Sequence, residues 1–316
     1  MSMDSLLLFG SLAYDHLLKT SQKFREALPS NSEHFHMSVL TQEYAKTFGG
    51  VAGNIAYYLN VLNFPSTILT AIGEDGGEYV RYLKNLGVST EALYHSAEKT
   101  ATAHIITDVE QNQFISFHPG ALIHADRCDV REHEPKLVCI SPNGDKEAMR
   151  LTVRRCREKN IPYVFDPGQM IPLWSGEELI EDISTAHLVI LNEYEYEMAQ
   201  EKLTITHERM EDISETLIVT LGDAGSKLIV PEASSCHVIA AVPEAIVNST
   251  GCGDAYRAGV LYSIMNDTDL VLGMKVGTIL ASFAIESDET QNQSITLEKV
   301  KERLEKTFQE NLDDHL

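Results

Sequence analysis

Short apolar runs alternate with segments of helical periodicity along most of the chain, and this alternation limits the possible folds more than any other feature. The runs have the length of buried strands and occupy residues 6–10, 67–72, 137–140, 163–165, 188–191 and 217–220. Helical patterns separate most of them. Strands that are apolar on both faces and joined through helices form parallel sheets covered on both sides. The sequence therefore predicts an α/β body.

Two early parts of the chain are predicted to form strands that are not directly followed by helices. Residues 34–40 alternate between apolar and polar, and residues 102–107 and 114–117 form a predicted hairpin. A late antiparallel pair is expected at 226–230 and 237–241, and a final amphipathic helix at 296–309. The chain has 316 residues and no linker or repeat, so we expect one domain over 1–316, with segments of roughly 11–48 and 100–118 forming a small β appendage.

The stretch 247–259, Val-Asn-Ser-Thr-Gly-Cys-Gly-Asp-Ala-Tyr-Arg-Ala-Gly, carries the clearest indication of chemistry. Gly251 and Gly253 precede a run with helical periodicity, and Asp254 stands in its first turn. Free N–H groups at the start of a helix favour an anion, and an adjacent carboxylate can accept a proton from an alcohol. The stretch predicts a phosphate cradle beside a base. The structural alternative is an acidic first turn that only stabilises the helix, by about 0.3–1 kcal/mol.

Four further polar clusters follow predicted strands or open predicted helices. They are Asp15; Gly49, Gly50 and Asn54; Asn192 and Glu195; and Thr220, Gly222 and Gly225. Because ligands of parallel α/β sheets bind at the carboxyl ends of the strands, we expect these clusters to meet at one site. Each cluster also has a structural alternative, as an exposed loop acid, a helix capping box or a pair of turn glycines.

Composition and missing motifs exclude several classes. The chain has 25 Lys and Arg against 47 Asp and Glu, a net charge of −22, which argues against nucleic acid and anionic membranes as partners. Five scattered cysteines without CxxC spacing fit a reduced cytoplasmic protein without a zinc site. Residues 270–285 are too short for a membrane span and are expected to form a buried helix. A dinucleotide G-x-G-x-x-G in the first strand–helix turn and a P-loop are both missing.

Two segments carry a resemblance to a known family. Residues 48–54, Phe-Gly-Gly-Val-Ala-Gly-Asn, and 249–256, Ser-Thr-Gly-Cys-Gly-Asp-Ala-Tyr, resemble the two signatures of the ribokinase-like (PfkB) family of carbohydrate and nucleoside kinases. They occur in the family's order, and the resemblance extends over essentially the whole chain. It implies a ribokinase-like three-layer αβα sandwich with a mostly parallel central sheet and a small β-sheet lid.

The resemblance also implies roles in ATP-dependent phosphoryl transfer to an alcohol. Asp254 would be the catalytic base, and the backbone of Gly251, Cys252 and Gly253 would form the anion hole. Nucleotide binding would fall to Asn192, Glu195, Thr220, Gly222 and Gly225, with Glu195 holding Mg²⁺ through water. Arg257, one helical turn after the glycines, either faces the phosphates or is an exposed helix arginine.

Substrate binding is implied for Asp15, Gly49, Gly50 and Asn54, and His118 either contacts the substrate from the lid or packs within it. Tyr14, Phe117 and Trp174 are candidates to stack on a purine, with core packing the better expectation for Trp174. Residues 10–15, 111–120 and 253–259 look like bacterial adenosine-kinase-like members. They imply a nucleoside phosphorylated on its 5′-hydroxyl. A ribokinase- or fructokinase-type sugar kinase and a non-catalytic nucleoside or sugar sensor are the alternatives, and either a monomer or a homodimer through the lid is compatible.

The sequence departs from the family pattern at a few positions. Asn248 stands where the family often has an aspartate associated with a monovalent cation, which weighs against potassium activation. Residues 166–168, Asp-Pro-Gly, replace the frequent Asp-Pro-Asn. Residues 285–291 are more acidic than the family's usual Gly-Thr-Gln region near the adenine.

Overall fold

The computed structural model describes residues 5–27, 38–204, 209–231, 234–292 and 294–315. The strands in this part of the chain are β1 Leu6–Phe9, β2 Ala13–Thr20, β3 Thr41–Gly49, β4 Thr67–Ile72, β5 Leu93–His95, β6 Ala101–Thr107, β7 Gln113–His118, β8 Leu137–Ile140, β9 Tyr163–Phe165, β10 Leu188–Asn192, β11 Leu217–Thr220, β12 Ser226–Ile229 and β13 Cys236–Val238. The α-helices are α1 Phe24–Ala27, α2 Val51–Val61, α3 Gly77–Asn85, α4 Lys146–Lys159, α5 Gly176–Ile183, α6 Glu193–Thr204, α7 Met210–Ile213, α8 Cys252–Met265, α9 Leu270–Ile285 and α10 Leu297–Phe308.

A nine-stranded sheet forms the centre of the protein, in the order β13-β12-β11-β10-β9-β8-β1-β4-β5. The strands from β11 to β5 pair in parallel, and β12 and β13 add an antiparallel edge. The carboxyl ends of the parallel strands therefore lie along one edge of the sheet, where ligands of α/β proteins bind.

The two faces of this sheet pack into separate apolar cores. Leu6 and Leu8 contribute to a core shared with α2, α3, α8, α9 and α10, whereas Leu7 and Phe9 contribute to a core shared with helices α4 to α7. Successive side chains of a strand point to opposite faces, so an unbroken apolar run is what a strand covered on both sides requires. The predicted three-layer αβα sandwich is confirmed.

A second sheet, called here the small sheet, has the order β3-β2-β6-β7. Its strands occupy the predicted segments of roughly 11–48 and 100–118, with β3 ending one residue later at Gly49, and β6 and β7 form the predicted hairpin. Residues 28–37, which include part of the strand expected at 34–40, lie outside the described residues. The observed strand β3 begins at Thr41. Whether the small sheet acts as a lid stays a prediction.

Aromatic side chains attach the small sheet to the main body. Tyr14 and Phe48, from β2 and β3, pack against Tyr79 of α3, with the Phe48 and Tyr79 ring centroids 4.6 Å apart. Helix α9 is buried along most of its length, as expected for residues 270–285. In the described ranges no helix has the length and apolarity needed to cross a bilayer.

Candidate active site

A cavity of about 450 Å³ lies between the carboxyl edge of the large sheet and the inner face of the small sheet. Side chains at or after the ends of β9, β10 and β11 line it, together with the first turns of α2, α6 and α8 and one face of β2, β6 and β7. The predicted site residues in its lining are Asp15, Gly50, Asn54, Asn192, Glu195, Thr220, Gly251, Gly253, Asp254 and Arg257. The separate sequence clusters thus meet at one site, while their individual roles stay predictions.

Helix α8 begins at the edge of this cavity. Gly251 is its N-cap, with φ of +85°, a left-handed conformation that glycine adopts without strain. The backbone N–H of Cys252 donates to the carbonyl of Ser249 at 3.3 Å, and Cys252 is outside the cavity lining. Because this amide is already bonded, an anion at the helix end would meet the amides of Gly251 and Gly253 first.

Asp254 lies in the first turn of α8 and is buried. The side-chain amide of Asn54 donates to its Oδ2 at 2.8 Å, and Arg257 Nη1 lies 3.6 Å from its Oδ1. Burial raises the pKa of Asp254, while the Arg257 charge and the Asn54 hydrogen bond oppose this rise. The carboxylate is desolvated, yet its ionised form is supported, which is the state that a proton acceptor needs.

Asp15 reaches the cavity from the small sheet. Burial raises its pKa to about 7, and the charge of Asp254 adds to the rise. Gly49 is outside the lining, but a Cβ there would occupy the space of the Asp15 carboxylate. Gly50 is the N-cap of α2 with φ of +88°, and a Cβ there would collide with the backbone of residues 11 and 13. Both glycines therefore make room for close approach at this end of the cavity.

Arg257 forms a two-point ion pair with Asp166, a residue that follows β9. Its Nε lies 2.5 Å from Asp166 Oδ2, and its Nη2 donates to Oδ1 at 2.9 Å. Burial raises the pKa of Asp166 to about 7 although Arg257 opposes the rise. The side chain of Arg257 is 12% exposed, so the alternative of an exposed helix arginine was wrong. Its guanidinium lies in the cavity lining, bound to a carboxylate.

Asn192 and Glu195 form the reciprocal cap that the structural alternative described. The Glu195 N–H donates to Asn192 Oδ1 and the Asn192 N–H donates to Glu195 Oε2, both at 2.8 Å. Both residues also line the cavity. The cap uses one carboxylate oxygen of Glu195, so it orients the group at the cavity wall without removing it from there.

The carboxylates of the site do not make a complete metal cage. Across the described ranges, no group of three or more His, Cys, Asp or Glu side chains is arranged to hold a metal ion. In sites that bind phosphates, Mg²⁺ usually takes one or two carboxylates and completes its shell with water and phosphate oxygens. Glu195, capped at one oxygen and facing the cavity, fits this donor set.

Several predicted site residues lie outside the cavity lining. Gly222 and Gly225 form the turn between β11 and β12, where the Leu221 N–H donates to the Gly225 carbonyl. His118 is exposed at the end of β7. Its neighbour Phe117 lines the cavity, and adjacent strand residues point to opposite faces, which explains why His118 does not.

The sequence did not indicate most of an apolar wall of the cavity on the small sheet. The wall consists of Ala13, Ala103, Ile105, Ile115 and Phe117, and of these only Phe117 was a candidate, to stack on a purine. The other two candidates for stacking on a purine lie outside the cavity lining. Tyr14 packs against α3, and Trp174 is buried in the core with its indole N–H donating to Asp182. Asp166 was noted only as a departure, although its place directly after β9 is the signal that identified the other clusters.

Comparison with known proteins identifies the family. The model of the pfkB family carbohydrate kinases matches residues 3–297. The chain belongs to the PfkB family. As a PfkB-family protein it is a phosphotransferase that acts on a hydroxyl group. Its similarity to the nucleoside kinase of Methanocaldococcus jannaschii is 31% identity over 307 residues, which is 96% of this chain and 98% of that relative.

Solved structures agree with this assignment. The crystal structure of the M. jannaschii nucleoside kinase, an archaeal member of the ribokinase family, matches this PfkB-family chain with a TM-score of 0.84 and 30% identity, over 96% of this chain and 98% of the other. The Burkholderia thailandensis nucleoside kinase in complex with inosine matches with a TM-score of 0.88 and 29% identity, over 97% and 99%. Its complex with ADP-inosine matches with a TM-score of 0.85. The ribokinase-like fold is confirmed.

Proposed function

We propose that this PfkB-family chain is an ATP-dependent nucleoside kinase that transfers the γ-phosphoryl group to the 5′-hydroxyl of a nucleoside such as adenosine or inosine. The observation that carries the proposal is the position of Asp254, a desolvated carboxylate at the start of a helix that faces the cavity. Further support comes from the similar B. thailandensis kinase, whose structures contain inosine and ADP-inosine.

Asp254 would act as the general base. An alcohol is far less acidic than a carboxylic acid, so the proton moves to Asp254 as the bond from the hydroxyl oxygen to phosphorus forms and the bond from phosphorus to ADP breaks. Asp254 must be ionised when the substrate binds. Arg257 and Asn54 favour that ionised form because one supplies positive charge and the other a hydrogen bond.

The transferred group would be stabilised from the start of α8. The amides of Gly251 and Gly253 and the helix dipole offset negative charge on the phosphoryl oxygens. When bound, Mg²⁺ would supply further charge neutralisation at the phosphates, with Glu195 holding it through water beside Asn192. Thr220 and the turn containing Gly222 and Gly225 are assigned to the nucleotide.

The acceptor end of the cavity favours a nucleoside over a free sugar. Asp15 and Asn54 provide polar groups for sugar hydroxyls, whereas Ile105, Ile115 and Phe117 form an apolar surface on the small sheet. A planar base can cover that surface and remove it from water, which a ribokinase- or fructokinase-type sugar cannot do. The apolar wall is therefore the reason for placing nucleoside above sugar.

We assign the small sheet, from segments of roughly 11–48 and 100–118, as a lid within one domain spanning 1–316. Closing it over the acceptor would exclude water and suppress hydrolysis of ATP. We place the protein in the cytoplasm because its scattered cysteines fit a reducing compartment. A monomer and a homodimer joined through the lid are both compatible with this arrangement.

The test is ATP consumption by the purified protein with Mg²⁺, comparing adenosine, inosine, cytidine, ribose and fructose at equal concentrations. Turnover with nucleosides and not with free sugars is expected. Turnover with a sugar alone would overturn the assigned substrate and leave Asp254 as the base. Binding of adenosine without any consumption of ATP would support a non-catalytic sensor instead.

A further inference from the structure

Thr290 and Gln291 lie buried where the small sheet, α2 and α8 meet. The Thr290 hydroxyl donates to the carbonyl of Phe48 at 3.2 Å, and its side chain packs against Gly251, the N-cap of α8. Tyr58 of α2 donates to the Thr290 carbonyl at 3.0 Å. This short segment therefore contacts the end of β3 and both helices that carry the central polar residues of the cavity.

Gln291 extends this contact to the side chain of Asn54. Its Nε2 donates to Asn54 Oδ1 at 3.1 Å and to the Tyr79 hydroxyl at 2.9 Å. The Tyr79 hydroxyl donates to the carbonyl of Gly49 at 2.7 Å. Asn54 in turn donates to Asp254 Oδ2 at 2.8 Å. Four hydrogen bonds thus connect a backbone carbonyl of the small sheet to the carboxylate at the start of α8.

The Gly49 carbonyl determines which group donates in each of these four hydrogen bonds. A backbone carbonyl can only accept, so the Tyr79 hydroxyl donates its single proton to the Gly49 carbonyl. It must therefore accept a hydrogen bond from Gln291. Gln291 must then present its NH₂ group rather than its oxygen to Tyr79. The second proton of that NH₂ group goes to Asn54 Oδ1, which turns the Asn54 NH₂ group towards Asp254.

We propose that Gln291 is a positioning residue that holds the Asn54 amide with its NH₂ group towards Asp254. This inference rests on the proposed role of Asp254 as the base. If the Asn54 amide were inverted, its oxygen would face the Asp254 carboxylate, and repulsion between the two would favour a protonated, inactive base. Gln291 therefore acts on the reaction through Asn54 and does not itself touch the reacting atoms.

The consequence is a change in pH dependence. The Asn54 hydrogen bond lowers the pKa of Asp254 against the effect of burial, so losing it moves the acid limb of kcat/KM to higher pH. The charged and titratable groups that interact with Asp254, on its own helix and on the surrounding elements, are Arg257, Cys252, Asp15, Cys139, Asp166 and Tyr58. They are left unchanged by a substitution at Gln291, so the shift reports on the amide.

Gln291→Met tests the proposal, because methionine keeps the length of the side chain but cannot donate. We expect kcat/KM to fall about 10- to 100-fold, the scale of a mispositioned catalytic group, together with an upward shift of the acid limb. Gln291→Glu is expected to do the same or more, since an ionised carboxylate can only accept and would draw the Asn54 NH₂ group away from Asp254. Tyr58→Phe is the matched control: it removes a hydrogen bond to the same segment and should leave the acid limb in place.

Coupling to Asn54 separates positioning from a general loss of structure. In an Asn54→Ala background, adding Gln291→Met should cost little more, because the effect acts through an amide that is already absent. An unchanged acid limb in Gln291→Met, or losses that add in the double variant, would overturn the proposal.

A readout without turnover keeps the inference distinct from the proposed function. The side-chain NH₂ signals of Asn54 in NMR spectra, assigned through Asn54→Ala, should exchange slowly with water in the wild type and rapidly in Gln291→Met. If no nucleoside is phosphorylated, the proposed function fails while this measurement still decides the position of the amide. Rapid exchange already in the wild type would show that Gln291 does not hold it.

Discussion

Arg257 and Asp166 are joined by two short contacts, Nε to Oδ2 at 2.5 Å and Nη2 to Oδ1 at 2.9 Å, and the third nitrogen of the same guanidinium lies 3.6 Å from Asp254. The planar fork of arginine allows one side chain to serve both carboxylates, which a lysine ammonium does less well. The pair ties the helix that carries Asp254 to the loop after β9. Its effect on Asp254 is both geometric and electrostatic.

Replacing Arg257 should therefore change the pH dependence of activity. Arg257 lowers the pKa of Asp254 against burial, so Arg257→Gln should raise that pKa and move the acid limb of kcat/KM to higher pH. Arg257→Lys keeps a positive charge and should move it less. The measurement is a pH profile of kcat/KM for the three proteins.

Arg150→Lys is a matched control for this experiment. Arg150 is similarly shielded and pairs with Asp182 at 3.0 Å, but it lies in α4, outside the cavity lining. Its substitution should lower stability and leave the acid limb unchanged. An equal shift in both variants would indicate a general effect of stability, not a local effect on Asp254.

Asp254→Asn should retain the fold and lose roughly 10²-fold or more in kcat, because asparagine cannot accept the hydroxyl proton. The substituted amide keeps the size of the carboxyl group, so thermal unfolding should change little relative to the loss of activity. Steady-state kinetics and thermal unfolding of the same preparation check this. Near-normal turnover would remove Asp254 from the role of base.

The large sheet could be predicted because its signals are local. The apolar runs and helical patterns lie within single elements, and parallel topology follows from their alternation. The edge strand β5 was missed because its sequence, Leu-Tyr-His, is not an apolar run and only Leu93 is buried. The cluster positions followed from one rule about strand ends, and the same rule would have included Asp166.

Gln291 had no comparable local signal. Its partners Asn54 and Tyr79 are more than two hundred positions away in sequence, and neither spacing nor composition places them together. For His118 the segment could be predicted, but the direction of its side chain could not. Its segment was identified as part of the β appendage, but which side of β7 faces the cavity depends on the register against β6, with His118 opposite Thr102.

Two glycines with positive φ should respond differently to alanine. Gly50→Ala meets the backbone of residues 11 and 13 at 2.6–2.7 Å, in addition to the strain of φ +88°. Gly222 has φ of +61° but open space around it. We expect Gly222→Ala to cost about 1–2 kcal/mol of stability from strain alone and Gly50→Ala to cost more, with a raised KM for the nucleoside because β2 must shift. Denaturant unfolding and KM measurements distinguish them, and equal costs would show that the close approach at Gly50 relaxes freely.

The stability of the free protein should depend on pH through Asp15. Its pKa is about 7 in the folded state against 3.8 for an ordinary aspartate, so the folded state binds more protons between these values, and the free energy of unfolding falls as pH rises through this window. Asp15→Asn removes this contribution. Its stability relative to the wild type should therefore increase by about 2 kcal/mol between about pH 5.5 and about pH 8, while its affinity for the nucleoside falls. Urea unfolding of both proteins at the two pH values checks the sign, and parallel changes would show that the Asp15 carboxyl titrates normally. The expected gain in stability together with a loss of binding would identify Asp15 as a residue kept for the substrate at the expense of the fold.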